Sequence, residues 1–348
     1  MDRPLRVYFV CGDKSGPFYH DIGIPTKYFN QYKLLDCIMA GYLNIDEMAN
    51  SDIIFYQRQY APESILSQRT LKAEGKPCIA HVDDNVWEIP AYNPAAPIYK
   101  GDILKRFELM LTEAHAVTTS TEYLASLCRR FNKNVYCFRN LIETGIYDFK
   151  DPGRDLRDRD TVRIGWTGTQ HHLDDITMVE QALKEVCRKY PQVRLVFFGF
   201  MPPNIHSMVA ADRIEFYNFV PPETYYLCLA KMDLDIGIAP LCENGFNKGK
   251  TARKAQEYGT LQIAPVLTPW DTYEVWTDGV NCLKPKKNKH IEWVKDLSRL
   301  IEDVEFRNRI ASGARDFVIE NHAIDKYIME RAQTYINIYN KVHSGEIK

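Results

Sequence analysis

The 348 residues exceed the roughly 150 of a typical domain, which predicts two domains. Hydrophobic residues at 45% and charged residues at 26% exclude a disordered tail, a collagen and a small disulfide scaffold. The formal net charge is -2, and the stretch up to Lys150 carries 17 basic and 18 acidic residues, so neither half is a basic nucleic-acid arm or an acidic tail, although a local basic groove stays open.

Met1 to Val10 lacks the apolar core and cleavage site of a signal peptide, and no run reaches the roughly 18 apolar residues of a membrane span. The nine cysteines are dispersed, with Cys128 and Cys137 the nearest pair and no CxxC spacing. Reduced core thiols in a cytosolic protein are expected, not a disulfide frame or a zinc site.

Arg6–Val10 is a β-branched and aromatic run ending in Cys11-Gly12-Asp13-Lys14-Ser15-Gly16-Pro17, a strand followed by a glycine-rich turn. Further strands are predicted at 52–56, 78–82 and 116–119, with helices over 65–74 and 103–114 between them. Such alternation predicts βαβ units and a parallel sheet covered on both faces. The stretch 150–163 has five basic and four acidic residues and almost nothing apolar, which reads as a solvated linker. A second layer then begins: strands at 162–166, 193–198, 214–220 and 234–239, and an amphipathic helix over 178–190. From Ile291 to about Val342 the pattern is helical, with Tyr327, Ile328, Ala332, Tyr335, Ile336 and Tyr339 at helical spacing. This run either completes the second domain or returns to the first.

In open parallel sheets, ligands sit beyond the carboxyl ends of the strands. The richest such loop is Phe246-Asn247-Lys248-Gly249-Lys250-Thr251, predicted to open a helix near Thr251 that carries Arg253, Lys254 and Glu257. A helix start with lysines around it suits a phosphate. Glu257 lies about two turns, roughly 10 Å, beyond Lys250, where it could take a ribose diol. A solvated basic face with Glu257 pairing Arg253 or Lys254 fits the spacing better.

Ile164-Gly165-Trp166-Thr167-Gly168, Phe197-Phe198-Gly199, Asp235–Leu241, Phe246-Asn247 with Lys250-Thr251, Lys254 and Glu257-Tyr258, and Thr277–Leu283 together resemble the C-terminal domain of GT-B glycosyltransferases of the group 1 kind. The match covers about 162–320; the first half is similar mainly in layout, through 116–122 and 135–140. The resemblance implies an α/β protein of two doubly wound Rossmann-like domains facing across a cleft. The acceptor domain would be 1–155, rejoined by 325–348 through a C-terminal helix that is a candidate to cross back, and the donor domain 156–324. It implies a retaining transferase with a UDP- or GDP-type nucleotide-sugar as donor, no required cofactor and no bound metal. Glu257 matches the family's ribose-binding glutamate. Lys250 becomes a diphosphate contact, with Gly168, Thr169, His171, Lys248, Thr251 and Lys254 around it. Two positions depart: Gly249 stands where the family often has a sugar-contacting glutamate, and Gln262 stands where it usually has glycine.

In the first half, His81-Val82-Asp83-Asp84-Asn85-Val86-Trp87 follows a strand. Adjacent acids point to opposite sides of extended chain, so one carboxylate at most faces an acceptor: Asp83 first, Asp84 second. Turn or helix capping is the plainer role for both. His81 fits a core histidine better than a catalytic one. Gly12, Asp13, Lys14 and Trp87 complete the acceptor candidates, although the aromatics fit the core as well. His171 and His172 with Asp174 and Asp175 lack a third spaced metal ligand, and Asp233-Leu234-Asp235 reads as structural. Lys284–His290 is either a solvated loop or a phosphate-backbone contact. The acceptor is thus a saccharide or, alternatively, a hydroxymethylated DNA base flipped from its duplex. A catalytically silent nucleotide-sugar binder and a nucleotide-sugar epimerase are further readings. Oligomeric state is open.

Overall fold

The computed structural model describes residues 3–12, 16–144 and 161–348. Two of the acceptor candidates, Asp13 and Lys14, and most of the charged 150–163 stretch lie outside them. The chain divides into two compact units. One comprises Met1–Leu141, Gly249–Thr251 and Ile324–Lys348; the other comprises Ile142–Lys248 and Ala252–Ala323.

In the first unit, β1 (Arg6–Cys11), β2 (Asp36–Ala40), β3 (Ile53–Gln57), β4 (Cys78–Val82), β5 (Ala116–Thr119) and β6 (Val135–Cys137) form a parallel sheet in the order β2-β1-β3-β4-β5-β6. Every residue of β3, β4 and β5 is buried, as a parallel sheet covered on both faces requires. Pro62 stands in the first turn of the Pro62–Ala73 helix, where its missing N–H is no loss. Thr121 caps the Glu122–Cys128 helix by accepting from Leu124 N at 3.2 Å. The Ile324–His343 helix packs Ile324, Ile328, Ala332, Tyr335 and Ile338 with Val7, Phe9 and Phe55 in this unit's core. Tyr335 meets Phe29 edge-on at 5.9 Å.

The second unit holds β7 (Val162–Thr167), β8 (Val193–Phe198), β9 (Ile214–Tyr217), β10 (Ile236–Ala239) and β11 (Ala264–Leu267), all parallel, in the order β11-β10-β7-β8-β9. Ile164, Trp166, Leu195, Phe197, Ile236 and Val266 share one core with Leu183, Val186, Trp293 and Leu297 of the flanking helices. The long helical run expected at the end resolves into helices His290–Glu302, Val304–His322 and Ile324–His343. Asp303 makes the first break by accepting from Phe306 N at 2.8 Å. All nine cysteines are free thiols, six of them buried.

Gln262, where the resemblance leads one to expect glycine, has φ +52°, the left-handed region that favours glycine. It follows the Arg253–Thr260 helix, and Ile263 N closes back on Tyr258 O at 2.9 Å, as at a glycine-terminated helix end. Gln262→Gly is expected to stabilise the chain by about 1 kcal/mol, read as a raised urea midpoint.

His115, buried at 5% exposure, accepts Cys78 N–H on Nδ1 at 3.0 Å. Burial, with Lys72 and His343 adding, pulls its pKa down to about 4. The unfolded chain takes this proton near 6.5 and so holds more protons between pH 6.5 and about 4. Stability is full above that window and is expected to fall on acidification by on the order of 2 kcal/mol. Urea unfolding across the window measures this, and His115→Asn should flatten the slope.

Candidate functional site

In the second unit the chain runs from β7 outward to β9 and returns to β10 beside β7, so the switch point of the sheet lies between β7 and β10. The loop after β7 carries Gly168, Thr169 and His171; the segment after β10 begins at Pro240 and ends in the short helix Gly245–Lys248. A residue that sequence reasoning did not rank fastens the two together. The buried Asp175 accepts from His172 Nδ1 at 2.8 Å, from Cys242 N at 2.7 Å and from Asn247 Nδ2 at 2.8 Å. Burial alone would push this carboxyl up; His172, the Cys242 N–H and Lys254 outweigh burial and hold it below its ordinary value.

Glu257, on the Arg253–Thr260 helix, is 4% exposed. Its Oε2 accepts from Tyr225 Oη at 2.8 Å, and the Tyr225 ring stacks on Phe198 with centroids 5.1 Å apart. Burial pushes the Glu257 carboxyl up, while Arg253, Tyr225 and Lys254 pull against it. Sequence spacing named Arg253 or Lys254 as its partner and missed Tyr225, which lies 32 residues away. Lys254 Nζ lies 6.0 Å from the Trp166 ring centroid, and Thr169 Oγ1 is 3.0 Å from His171 Nδ1. Lys248 is exposed. Gly199 is required here, because its φ is +91° and a Cβ would stand 2.5 Å from the Gly168 carbonyl oxygen. Asp235 of the Asp-Leu-Asp sequence accepts Arg163 N at 2.8 Å.

The helix begins at Arg253, two residues later than expected, and the Gly249–Thr251 stretch groups with the first unit. There Lys250 Nζ reaches Asp84 Oδ1 at 2.6 Å and Thr251 Oγ1 accepts from Asn140 Nδ2 at 3.1 Å. Arg58, at φ +49°, pairs with both acids: its Nε with Asp83, and its Nη2 with Asp84 at 2.9 Å. Asp83 also takes Gln57 Nε2 at 3.4 Å. Its side chain is 1% exposed against 17% for Asp84, so Asp84 is the more accessible acid. Burial pushes the Asp83 carboxyl up against the pull of Arg58.

His81 is buried, its Nδ1 2.9 Å from Thr118 Oγ1 and its Nε2 3.4 Å from Asp21 Oδ2. Asp21, His81 and Asp83 bring one ligand atom each within 4.8 Å of one another. The sequence did not assign a metal to these residues, and Arg58 already neutralises Asp83. The half-buried Trp87 stacks on Phe131 at 5.6 Å and donates Nε1 to Glu108 at 3.0 Å. Gly12 is exposed.

No protein-family model and no curated protein matches the sequence. Solved structures match throughout. Anabaena HepE, crystallised with UDP and glucose, superposes with a TM-score of 0.68 at 12% identity, covering 96% of this chain and all of that one. Thermosynechococcus elongatus sucrose-phosphate synthase gives 0.66 at 11%, covering 97% and 100%. An alpha-glucosyltransferase bound to UDP and DNA containing a HMU base gives 0.63 at 11%, also covering 97% and 100%. With its two parallel α/β sheets of six and five strands, the chain has the GT-B fold of these glycosyltransferases.

Proposed function

We propose that the protein is a glycosyltransferase that moves a sugar from a nucleotide-diphosphate-sugar to a hydroxyl acceptor, with retention at the anomeric carbon. The observation that carries this reading is the buried, Tyr225-held carboxylate of Glu257 in the unit whose switch-point loops Asp175 fastens together. Glu257 receives the ribose hydroxyls. Gly168, Thr169, His171 and Lys254, with Lys248, Lys250 and Thr251, take the diphosphate, and positive charge there stabilises the leaving group as its bond breaks. Residues 156–324 serve the donor, and 1–155 with 325–348 serve the acceptor. Asp84, with Asp83 behind it, orients the acceptor hydroxyl, and His81, Gly12 and Trp87 shape its surroundings. Asp13 and Lys14 belong to the same reading. The transfer needs no metal and takes place in the cytosol. Among the described residues no helix is long and apolar enough to cross a membrane.

UDP-glucose is the donor to try first, because HepE has been crystallised with it. A saccharide acceptor leads; a hydroxymethylated base in DNA is a second reading, supported by the fold shared with the DNA-bound alpha-glucosyltransferase. Incubation with UDP-sugars and GDP-sugars, against oligosaccharides and duplex DNA bearing hydroxymethylated bases, is read by mass shift. A hexose increment on one acceptor class is expected. Donor binding without transfer or hydrolysis would instead identify a silent nucleotide-sugar binder.

A further inference from the structure

The first unit contains a cavity of about 280 Å³ that the donor and acceptor readings leave unused. Edge strand β6 and the residues after it form one wall, through Cys137, Phe138 and Arg139; Tyr327, Arg331 and Thr334 of the Ile324–His343 helix form the other. Its volume lies just under the roughly 300–1,000 Å³ of ordinary ligand pockets, which suits a small metabolite better than a nucleotide.

Arg331 distinguishes this cavity from a packing defect. It is 4% exposed, and among the described residues no carboxylate stands within ion-pair distance of it. One Nη donates to the main-chain carbonyl of Asp21, the guanidinium also meets the Tyr335 hydroxyl and lies 4.6 Å over the Phe138 ring, and Nε is buried with no hydrogen-bond partner. A buried cation is ordinarily paired, because the lost hydration is otherwise uncompensated. The exposed Arg139 lies 4.3 Å over the Tyr327 ring and adds positive charge. Glu330, also lining the cavity, is exposed at its rim and disfavours a second anionic group there, while accepting hydrogen bonds from hydroxyls.

We propose that this cavity binds a small hydroxylated oxyanion, a phosphate ester or a hydroxycarboxylate. Its charged group is the counter-ion of Arg331, its hydroxyls face Glu330 and Thr334, and Phe138 and Tyr327 border its carbon frame. None of the residues lining it belongs to the proposed donor set.

Cys137 gives a local readout, because it lines the cavity and is half-buried rather than sealed. The full chain is treated with a maleimide, and Cys137 labelling is followed by peptide mass spectrometry. Glucose 6-phosphate is the phosphate-ester probe and glycerate, a hydroxylated monocarboxylate, the carboxylate probe. At several times its Kd, a probe that binds is expected to slow labelling about fivefold, and the one that protects identifies the anion class. Arg331→Met should abolish protection by removing the charge. Thr334→Trp should abolish it by filling the cavity with Arg331 intact, and it decides the matter alone if Arg331→Met does not fold by circular dichroism. No protection by either probe, or protection that survives Thr334→Trp, overturns the proposal.

Discussion

Glu257→Ala is expected to lower kcat/KM for the donor by on the order of 100-fold, about 3 kcal/mol. A charged hydrogen bond contributes about 1.5–3 kcal/mol, and a ribose diol offers two. The same change should not destabilise the free protein. Burial raises the carboxyl in the folded state, so across the window from its unfolded value, near 4.3, upward to its folded one, the folded chain holds more protons. Stability therefore falls as pH rises through that window, and at neutral pH the buried carboxylate is a net destabiliser. Glu257→Gln should thus raise Tm while impairing donor binding. Donor affinity in the wild type should increase with pH as this group ionises. Wild-type turnover in Glu257→Ala would remove the residue from the donor site, and a lowered Tm in Glu257→Gln would show that the carboxylate is structural.

Asp83→Ala is expected to destabilise the first unit by about 3 kcal/mol, because it strips the principal partner from a buried guanidinium. Asp84 still holds Arg58 at 2.9 Å, which keeps the loss at the low end for a broken buried pair. For a body of 150 or so residues this lowers Tm by roughly 10 °C. Asp84→Ala should cost less, since its side chain is more exposed and Arg58 keeps Asp83. The double change Asp83→Leu with Arg58→Met removes both charges and should recover most of the stability, though not activity. Equal loss in Asp83→Ala and Asp84→Ala would show that burial does not set the strength of these pairs.

The layout was legible because parallel strands buried on both faces appear as nearly continuous apolar runs, as in 53–57, 78–82 and 193–198, interrupted only by Gln57, His81 and Arg194. The strands that went unread lack that signature. β2 is an edge strand of mixed burial. β11 carries Pro265, and a proline argues against a strand unless the strand lies at a sheet edge, as this one does. The resemblance to the family picked out Glu257, but its surroundings were hidden. Tyr225, Asp175, Arg58 and Asp21 reach distant partners 25 to 72 residues away, and only the tertiary fold brings such groups together. Lys250 had a partner that spacing could not show: Asp84, 166 residues away, holds it at 2.6 Å.

The placement of the Ile324–His343 helix also orders events on the ribosome. Its five buried apolar residues complete a core whose first strand begins at Arg6, so that core cannot close until nearly the whole chain has emerged. The second unit, complete at Ala323, can close earlier, which reverses the usual N-terminal-first sequence. Nascent chains arrested before Ile324 should protect 162–323 from protease while leaving 3–141 open to it. A stop codon in the last helix should therefore damage the beginning of the protein.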